Sequence, residues 1–316
     1  MKCLYCGKLI AEGASIEEKT WRWHKRCIRS FFGTNKMPGL DISKEQLEQL
    51  ANDTVNMGLT VPGVQKKLSL HLSTDVNSRL TIVNYPTGYI LKPQTEEYPF
   101  MPEYEDLAMR LAETAGIQTV PHALIEMNQE YAYITRRIDR EQGKVYAMED
   151  FCQISRRLTQ DKYKGSYENC ARIVQKYSIM PGLDLSEIYL RIVCSFIIGN
   201  SDMHLKNFSL RETQPGNREF RLSRAYDILP VNVIMPEDKE QLALTLNGKK
   251  RNIRKKDFRV FAEACNIPDK AARHMIDRIC SLKDKFICQV DESYLPQTER
   301  EELIDFINAR IEILNS

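Results

Sequence analysis

Between Asp184 and Gly199 the chain reads DLSEIYLRIVCSFIIG. Ile188, Ile192, Cys194, Phe196 and Ile197 spread apolar surface nearly all round a helix, and Gly199 suits the left-handed residue that ends one. A helix of this kind has to be surrounded, so the segment predicts a central helix with a domain built about it. The stretch beyond its C-terminal end is of opposite character, because NSDMHLKNFSL packs Asp202, His204 and Asn207 into six residues before a short apolar run. A polar loop carried on a buried helix is held with little positional error, as chemistry at a reacting atom requires.

Asn207 lies five residues after Asp202. Phosphoryl transfer to a hydroxyl needs a carboxylate to orient and deprotonate the acceptor, and an amide oxygen for a magnesium ion. A second metal-binding carboxylate is expected on a hairpin beyond the loop; AYDILP supplies Asp227 after a turn built by Pro215, Gly216 and Asn217. His204 fits either a contact to nucleotide or metal-bound water, or a structural hydrogen bond within the loop. Spacing alone also allows a hydrolase metal site or a capped loop.

NSDMHLKNFSL together with AYDILP resembles the HipA family of bacterial serine/threonine kinases, the toxin half of toxin–antitoxin pairs, and the resemblance runs from about Asn56 to about Lys256. It implies an α+β chain with the two-lobed HipA-like kinase fold, a small mainly β N-terminal lobe and a helical C-terminal lobe. The expected division is a zinc module over 1–40, the N-terminal lobe over 41–140 and the C-terminal lobe over 141–316. The resemblance makes Asp202 the catalytic base, Asn207 and Asp227 the Mg2+ ligands, and ATP the phosphate donor. VNMGLTVPGVQKKLSLHL is similar to the family's phosphate-binding loop, placing Val61, Gly63, Val64, Gln65 and Lys67 at the nucleotide. Lys92 would hold the phosphates and Glu105 would hold Lys92. Backbone atoms near Arg136 and Ile138 would meet the adenine, Asp139 the ribose, and His204 and Tyr226 complete the nucleotide-binding set.

Read directly, KKLSLHL and YPTGYILKP alternate as strands, the second ending in Lys92. A lysine buried there needs an acid beside it. Glu105 is the candidate; it is also readable as an acid at the start of the helix EDLAMRLAETAGI, where the macrodipole favours it. HALIEMNQEYAYITRRIDR predicts two strands turning at Asn128 and Gln129. DISKEQLEQLAN predicts a short linking helix over 41–52. MEDFCQISRR and KYKGSYENC match a family stretch near the cleft without a role legible from chemistry. Helices are expected from about Asp269 to Asp291 and from Glu299 to Leu314, the latter capped by Thr298 with Glu301. The basic run GKKRNIRKKDF reads as a solvated helix start or as a patch for an acidic partner or its tRNA.

Cys3 and Cys6 in MKCLYCGK, with His24 and Cys27 in WRWHKRC, have the spacing of a closed tetrahedral Zn2+ site. Such a site is structural, since it leaves no open coordination position. A nucleic-acid-binding ribbon is the alternative, served by Trp21, Arg22, Trp23, Lys25, Arg26 and Arg29. The other six of nine cysteines are scattered singly from Cys152 to Cys288, which suits a reducing compartment. No segment reads as a membrane span or signal peptide, so a cytoplasmic location is expected. The net charge of +2 argues against generic nucleic-acid binding, and direct DNA contact is not expected.

The family's longer members precede the phosphate-binding loop with a β-rich domain of roughly a hundred residues, in the usual range of small domains. This chain has about half that length there, in which it is similar to the shorter HipT members. The resemblance therefore implies an antitoxin protein and a separate small protein supplying the missing domain as partners, and an aminoacyl-tRNA synthetase as substrate. A zinc-anchored binding protein or pseudokinase, and a small-molecule kinase, are the competing readings. Thr60 stands where longer members carry a serine that the kinase phosphorylates on itself; its hydroxyl permits the same switch.

Overall fold

The computed structural model describes residues 1–40, 67–73, 78–83, 87–141 and 143–316. Thr60, Val61, Gly63, Val64 and Gln65, with the expected helix over 41–52, lie outside the described residues. The described chain divides into two compact units, Met1–Asp106 with Val120–Arg140, and Leu107–Thr119 with Glu141–Ser316. The fold class is α+β, with one unit mainly β and the other mainly helical.

The first unit begins with two short helices, α1 (Ile16–Trp21) and α2 (Lys25–Phe32). A five-stranded antiparallel sheet comes next: β1 (Leu68–Ser73), β2 (Arg79–Val83), β3 (Tyr89–Lys92), β4 (His122–Met127) and β5 (Glu130–Arg136), in the order β2-β1-β3-β5-β4. The β4–β5 hairpin turns where its sequence predicts, with Asn128 and Gln129 both left-handed at φ 53° and 68°. That is the twist a two-residue hairpin needs. The N-terminal segment is built onto this sheet. Trp23, Phe31 and Phe32 are buried, and both phenylalanines lie within 6 Å of the Tyr89 ring on β3, at 5.8 and 5.5 Å. The Leu124 amide of β4 donates to the Leu4 carbonyl at 3.3 Å.

The ribbon reading of the N-terminus loses one of its two tryptophans by this packing, while Trp21 stays exposed. Trp23 is fully buried, and Arg22 is engaged by Tyr131 and by Glu126 at 3.8 Å. An aromatic locked in the core cannot stack on a base.

Helix α3 (Met101–Ala115) begins four residues before Glu105. Glu105 therefore stands in the second turn, beyond the reach of the N-terminal partial charge, and the macrodipole does not explain it.

The second unit is organised about α5 (Pro181–Ile198), which packs against α4 (Tyr167–Tyr177), α6 (Lys255–Ala264), α7 (Asp269–Cys280) and α9 (Gln297–Asn315). Helix α8 (Lys283–Asp291) packs on α9. A three-stranded sheet places β7 (Ser209–Glu212) between β6 (Met148–Asp150) and β8 (Phe220–Leu222). Helix α9 starts one residue before Thr298, after Pro296, so the expected Thr298 cap falls inside the helix. Proline ahead of the first turn serves instead, having no amide to satisfy. The basic run is partly consumed within the fold: Lys249 pairs with the buried Asp257 at 2.8 Å and Lys250 with Glu240 at 3.0 Å.

Candidate functional site

Helix α5 ends on Gly199, whose φ is +80° and whose amide donates to the Ser195 carbonyl. A side chain there would be strained by the backbone and would also meet the Phe306 ring at 2.7 Å. The loop beyond it is tied at several points. Ser201 Oγ donates to Asp238 Oδ2 at 2.6 Å, Tyr167 Oη to the Met203 carbonyl at 3.1 Å, and the Asp202 amide to Asn200 Oδ1 at 3.2 Å.

Asn207 is 3% exposed, and its Nδ2 donates to the Asp202 carbonyl at 2.8 Å. With the nitrogen end of the amide used in this way, its oxygen is the end available as a ligand. The Asp202 carboxylate remains more open and accepts a 2.5 Å hydrogen bond at Oδ1 from the Tyr163 hydroxyl. Tyr163 is held there because the Leu205 amide donates to the Lys162 carbonyl beside it at 3.2 Å. Burial first, then the charges of Asp202, Asp238 and Asp227, push the Tyr163 pKa far up, so its phenol keeps its proton.

His204 is 5% exposed and lies edge-on to Tyr163, with Nε2 3.9 Å from Asp202 Oδ2. Burial lowers its pKa against the opposing pull of Asp202, so the imidazole is neutral at neutral pH. Its Nδ1 finds no hydrogen-bond partner among the described residues.

Asp227 adopts a left-handed backbone, φ 60°, an uncommon conformation for a residue with a side chain. The preceding Tyr226 straps its segment to the loop, donating to the Lys206 carbonyl at 3.1 Å and sharing a 2.5 Å hydrogen bond with Ser209 Oγ. Burial raises the Tyr226 pKa, so this strap also stays protonated.

In the first unit, Lys92 and Glu105 are both buried and paired at 2.5 Å, with the ammonium 5.4 Å from the centre of the Tyr133 ring. Next to Glu105, Asp106 Oδ1 lies 2.9 Å from His122 Nδ1. Asp139 accepts two hydrogen bonds from Arg137, at 2.9 and 2.7 Å, and one from Arg140 at 3.1 Å. The Arg136 amide donates to the Pro121 carbonyl at 3.0 Å. Ile138 is buried, and Lys67 stands exposed just before β1.

The ligand atoms of Cys3, Cys6, His24 and Cys27 lie within 4.8 Å of one another. His24 Nδ1 is 3.4 Å from Cys6 Sγ and 3.7 Å from Cys27 Sγ. A tetrahedral zinc with Zn–S of about 2.3 Å and Zn–N of about 2.0 Å sets such S···N edges at about 3.5 Å, so the residues fit this ion. His24 Nε2 meets the Leu9 carbonyl at 3.2 Å, which orients Nδ1 as the ligand. Burial raises the Cys6 pKa, but hydrogen bonds from the Lys8 amide and from Cys27, Cys3 and His24 bring it down to about 7. Burial and the neighbouring Cys3 and Cys6 hold the Cys27 thiol well above its usual value.

Two participants escape the sequence. Tyr163 lies in KYKGSYENC, a stretch without legible chemistry, and only the fold brings it to Asp202. The Asp106–His122 pair joins a helix to a strand and has no local pattern.

Residues 59–286 match the model of the HipA-like C-terminal domain. The chain is 25% identical over 288 residues to the Haemophilus influenzae protein named "Putative kinase", covering 82% of each. It is 29% identical over 239 residues to "Putative kinase Y4dM" of Sinorhizobium fredii, covering 69% of this chain and 58% of that protein. Among solved structures it resembles a chain of the Shewanella oneidensis MR-1 toxin–antitoxin complex of HipA, HipB and operator DNA. There the TM-score is 0.70 at 17% identity, over 87% of this chain and 73% of that one. The Helicobacter pylori proinflammatory kinase CtkA gives 0.54 at 15% identity, over 78% of this chain and 94% of that one. The family match takes in well over half of the chain, and the protein belongs to the HipA-like C-terminal domain family.

Proposed function

We infer that the protein is an ATP- and magnesium-dependent serine/threonine protein kinase. The observation that carries this reading is the Asp202 carboxylate, half-open at the end of a fixed loop, already holding a hydroxyl at 2.5 Å on Oδ1. A carboxylate that binds a phenol in this way is equipped to accept the proton of a serine or threonine hydroxyl as its oxygen attacks the terminal phosphorus of ATP. The bond from phosphorus to the bridging oxygen breaks and ADP leaves. Asn207 Oδ1 and the Asp227 carboxylate would hold the magnesium, which neutralises charge on the phosphates when bound. Lys92, kept in place by Glu105, anchors the phosphates, with Val61, Gly63, Val64, Gln65 and Lys67 as the phosphate-binding loop. Backbone atoms near Arg136 and Ile138 would serve the adenine, the Arg136 amide itself being held by Pro121, and Asp139 the ribose while remaining clamped by Arg137 and Arg140. His204 stays neutral beside the base, and Tyr226 holds the Asp227 segment in register.

The zinc-type cluster is assigned a structural Zn2+. Family membership supports a toxin role with an antitoxin partner, since the structurally similar Shewanella HipA was solved with HipB. A small companion protein and an aminoacyl-tRNA synthetase substrate are inferred from the same likeness. Incubation with labelled ATP, magnesium and whole lysate tests the reading: one labelled protein, modified on serine or threonine, is expected. Labelling confined to small molecules would overturn it. Intact mass after the same incubation reads Thr60, where one added phosphate absent from Thr60→Ala is expected.

A further inference from the structure

A cavity of about 290 Å³ lies in the second unit, formed by the N-terminal half of α5, the residues just after β8, Gln118 and the α7 side chains Met275 and Arg278. Four of its lining residues are arginines, Arg191, Arg221, Arg224 and Arg278, against two carboxylates, Asp184 and Glu187, so two positive charges are in excess.

Both carboxylates are already fully engaged. Asp184 accepts from Arg221 Nη2 at 2.8 Å, from the Leu222 amide at 2.9 Å and from Ser178 Oγ at 2.5 Å. Glu187 accepts from Arg191 Nε at 3.1 Å and Nη2 at 3.0 Å, and from the Gln118 amide at 3.2 Å. They serve to fix two of the guanidiniums. Arg224 and Arg278 are exposed and make no ion pair among the described residues.

Arg191 forms the buried part of the lining, its Nη2 also donating to the Ser223 carbonyl at 2.6 Å. It is 2% exposed, and its Nη1, shut off from solvent, has no hydrogen-bond partner among the described residues. Burial pulls its pKa below the usual value in spite of Glu187. Converging guanidinium forks match the several oxygens of a phosphate better than the two of a carboxylate. The volume is at the low end for ligand cavities, about 300 Å³, which suits a small ligand.

We propose that this arginine-lined cavity binds a phosphate group, as the free ion or on a small phosphomonoester. The site is separate from the Asp202 loop and does not depend on the kinase reading. Calorimetric titration of the full chain with inorganic phosphate and with O-phosphoserine, at ionic strength held constant with chloride, tests it. Saturable binding is expected for the wild type, weakened about tenfold or more in Arg224→Gln/Arg278→Gln, two exposed positions. Arg224→Lys, which keeps the charge but not the fork, should fall between. Tighter binding of O-phosphoserine would identify a phosphomonoester as the ligand, and tighter binding of phosphate the free ion. No response beyond chloride, or wild-type affinity in the double variant, would overturn the proposal.

Discussion

Tyr163 and Glu103 are the two residues whose surroundings make sharp predictions. The Tyr163 hydroxyl occupies Asp202 Oδ1, the position an acceptor hydroxyl would take in the proposed reaction. Tyr163→Phe removes this competitor while keeping the ring against His204. The acceptor KM is expected to fall by about threefold, a fraction of a hydrogen bond's worth, with kcat little changed. A kcat loss beyond tenfold in steady-state kinetics would place Tyr163 in the chemical step instead. Glu103 is buried on α3, and burial, joined by the charges of Glu130 and Asp106, raises its pKa to about 7. Its folded pKa lies above the ordinary 4.5, so the fold prefers the protonated form. The stability this confers is whole below about pH 4.5 and is lost as pH rises through about 7, amounting to up to about 3 kcal/mol. Glu103→Gln should flatten that decline in denaturant midpoints measured from pH 5 to 8; an unchanged slope would contradict it.

At the scale of elements, the buried helix and the loop it carries were legible because apolar residues all round a helix admit one environment. Strand β3, the β4–β5 turn and the Lys92–Glu105 pair were legible for similar reasons: alternation, positive-φ turn residues, and a lysine with no way to be buried alone. Helix starts were not: α9 begins directly after Pro296 rather than at the Thr298–Glu301 capping pattern, and α3 begins at Met101, four residues before Glu105. Nor was the left-handed Asp227, since many aspartates keep an ordinary backbone and nothing beside it in the sequence marks the turn. The junction of α5 and the loop should be sensitive: Gly199→Ala is expected to cost about 2–3 kcal/mol, part from φ and part from the Phe306 contact. Adding Phe306→Leu should recover only the second part in a double-mutant cycle, and full recovery would show the backbone term to be absent. The cluster of Cys3, Cys6, His24 and Cys27 belongs to the segment that packs on the sheet. Metal analysis should give one zinc per chain, falling near zero with a lowered melting temperature in Cys6→Ser. Zinc content unaltered by that substitution would remove the assignment.

The whole molecule divides its chemistry between its two compact units. The first carries a buried lysine fixed by a glutamate, which fits an anchor for phosphate; the second carries Asp202, Asn207 and Asp227, the proposed base and magnesium ligands, on a loop and a left-handed turn. Among the described residues no helix is long and apolar enough to cross a membrane. The division of roles separates binding from transfer, and the separation can be measured. Asp227→Ala should weaken magnesium-nucleotide binding and abolish transfer, whereas a change at Asp202 should spare binding and strike only the proton-accepting step. The most direct measurement is phosphate transfer from labelled ATP by the wild type and by Asp202→Asn, with nucleotide affinity read on the same samples. Transfer by the wild type is expected, with a loss of at least about a hundredfold in Asp202→Asn and affinities within about threefold of each other. Equal transfer by the two proteins, or none by a wild type that binds nucleotide, would contradict the kinase reading.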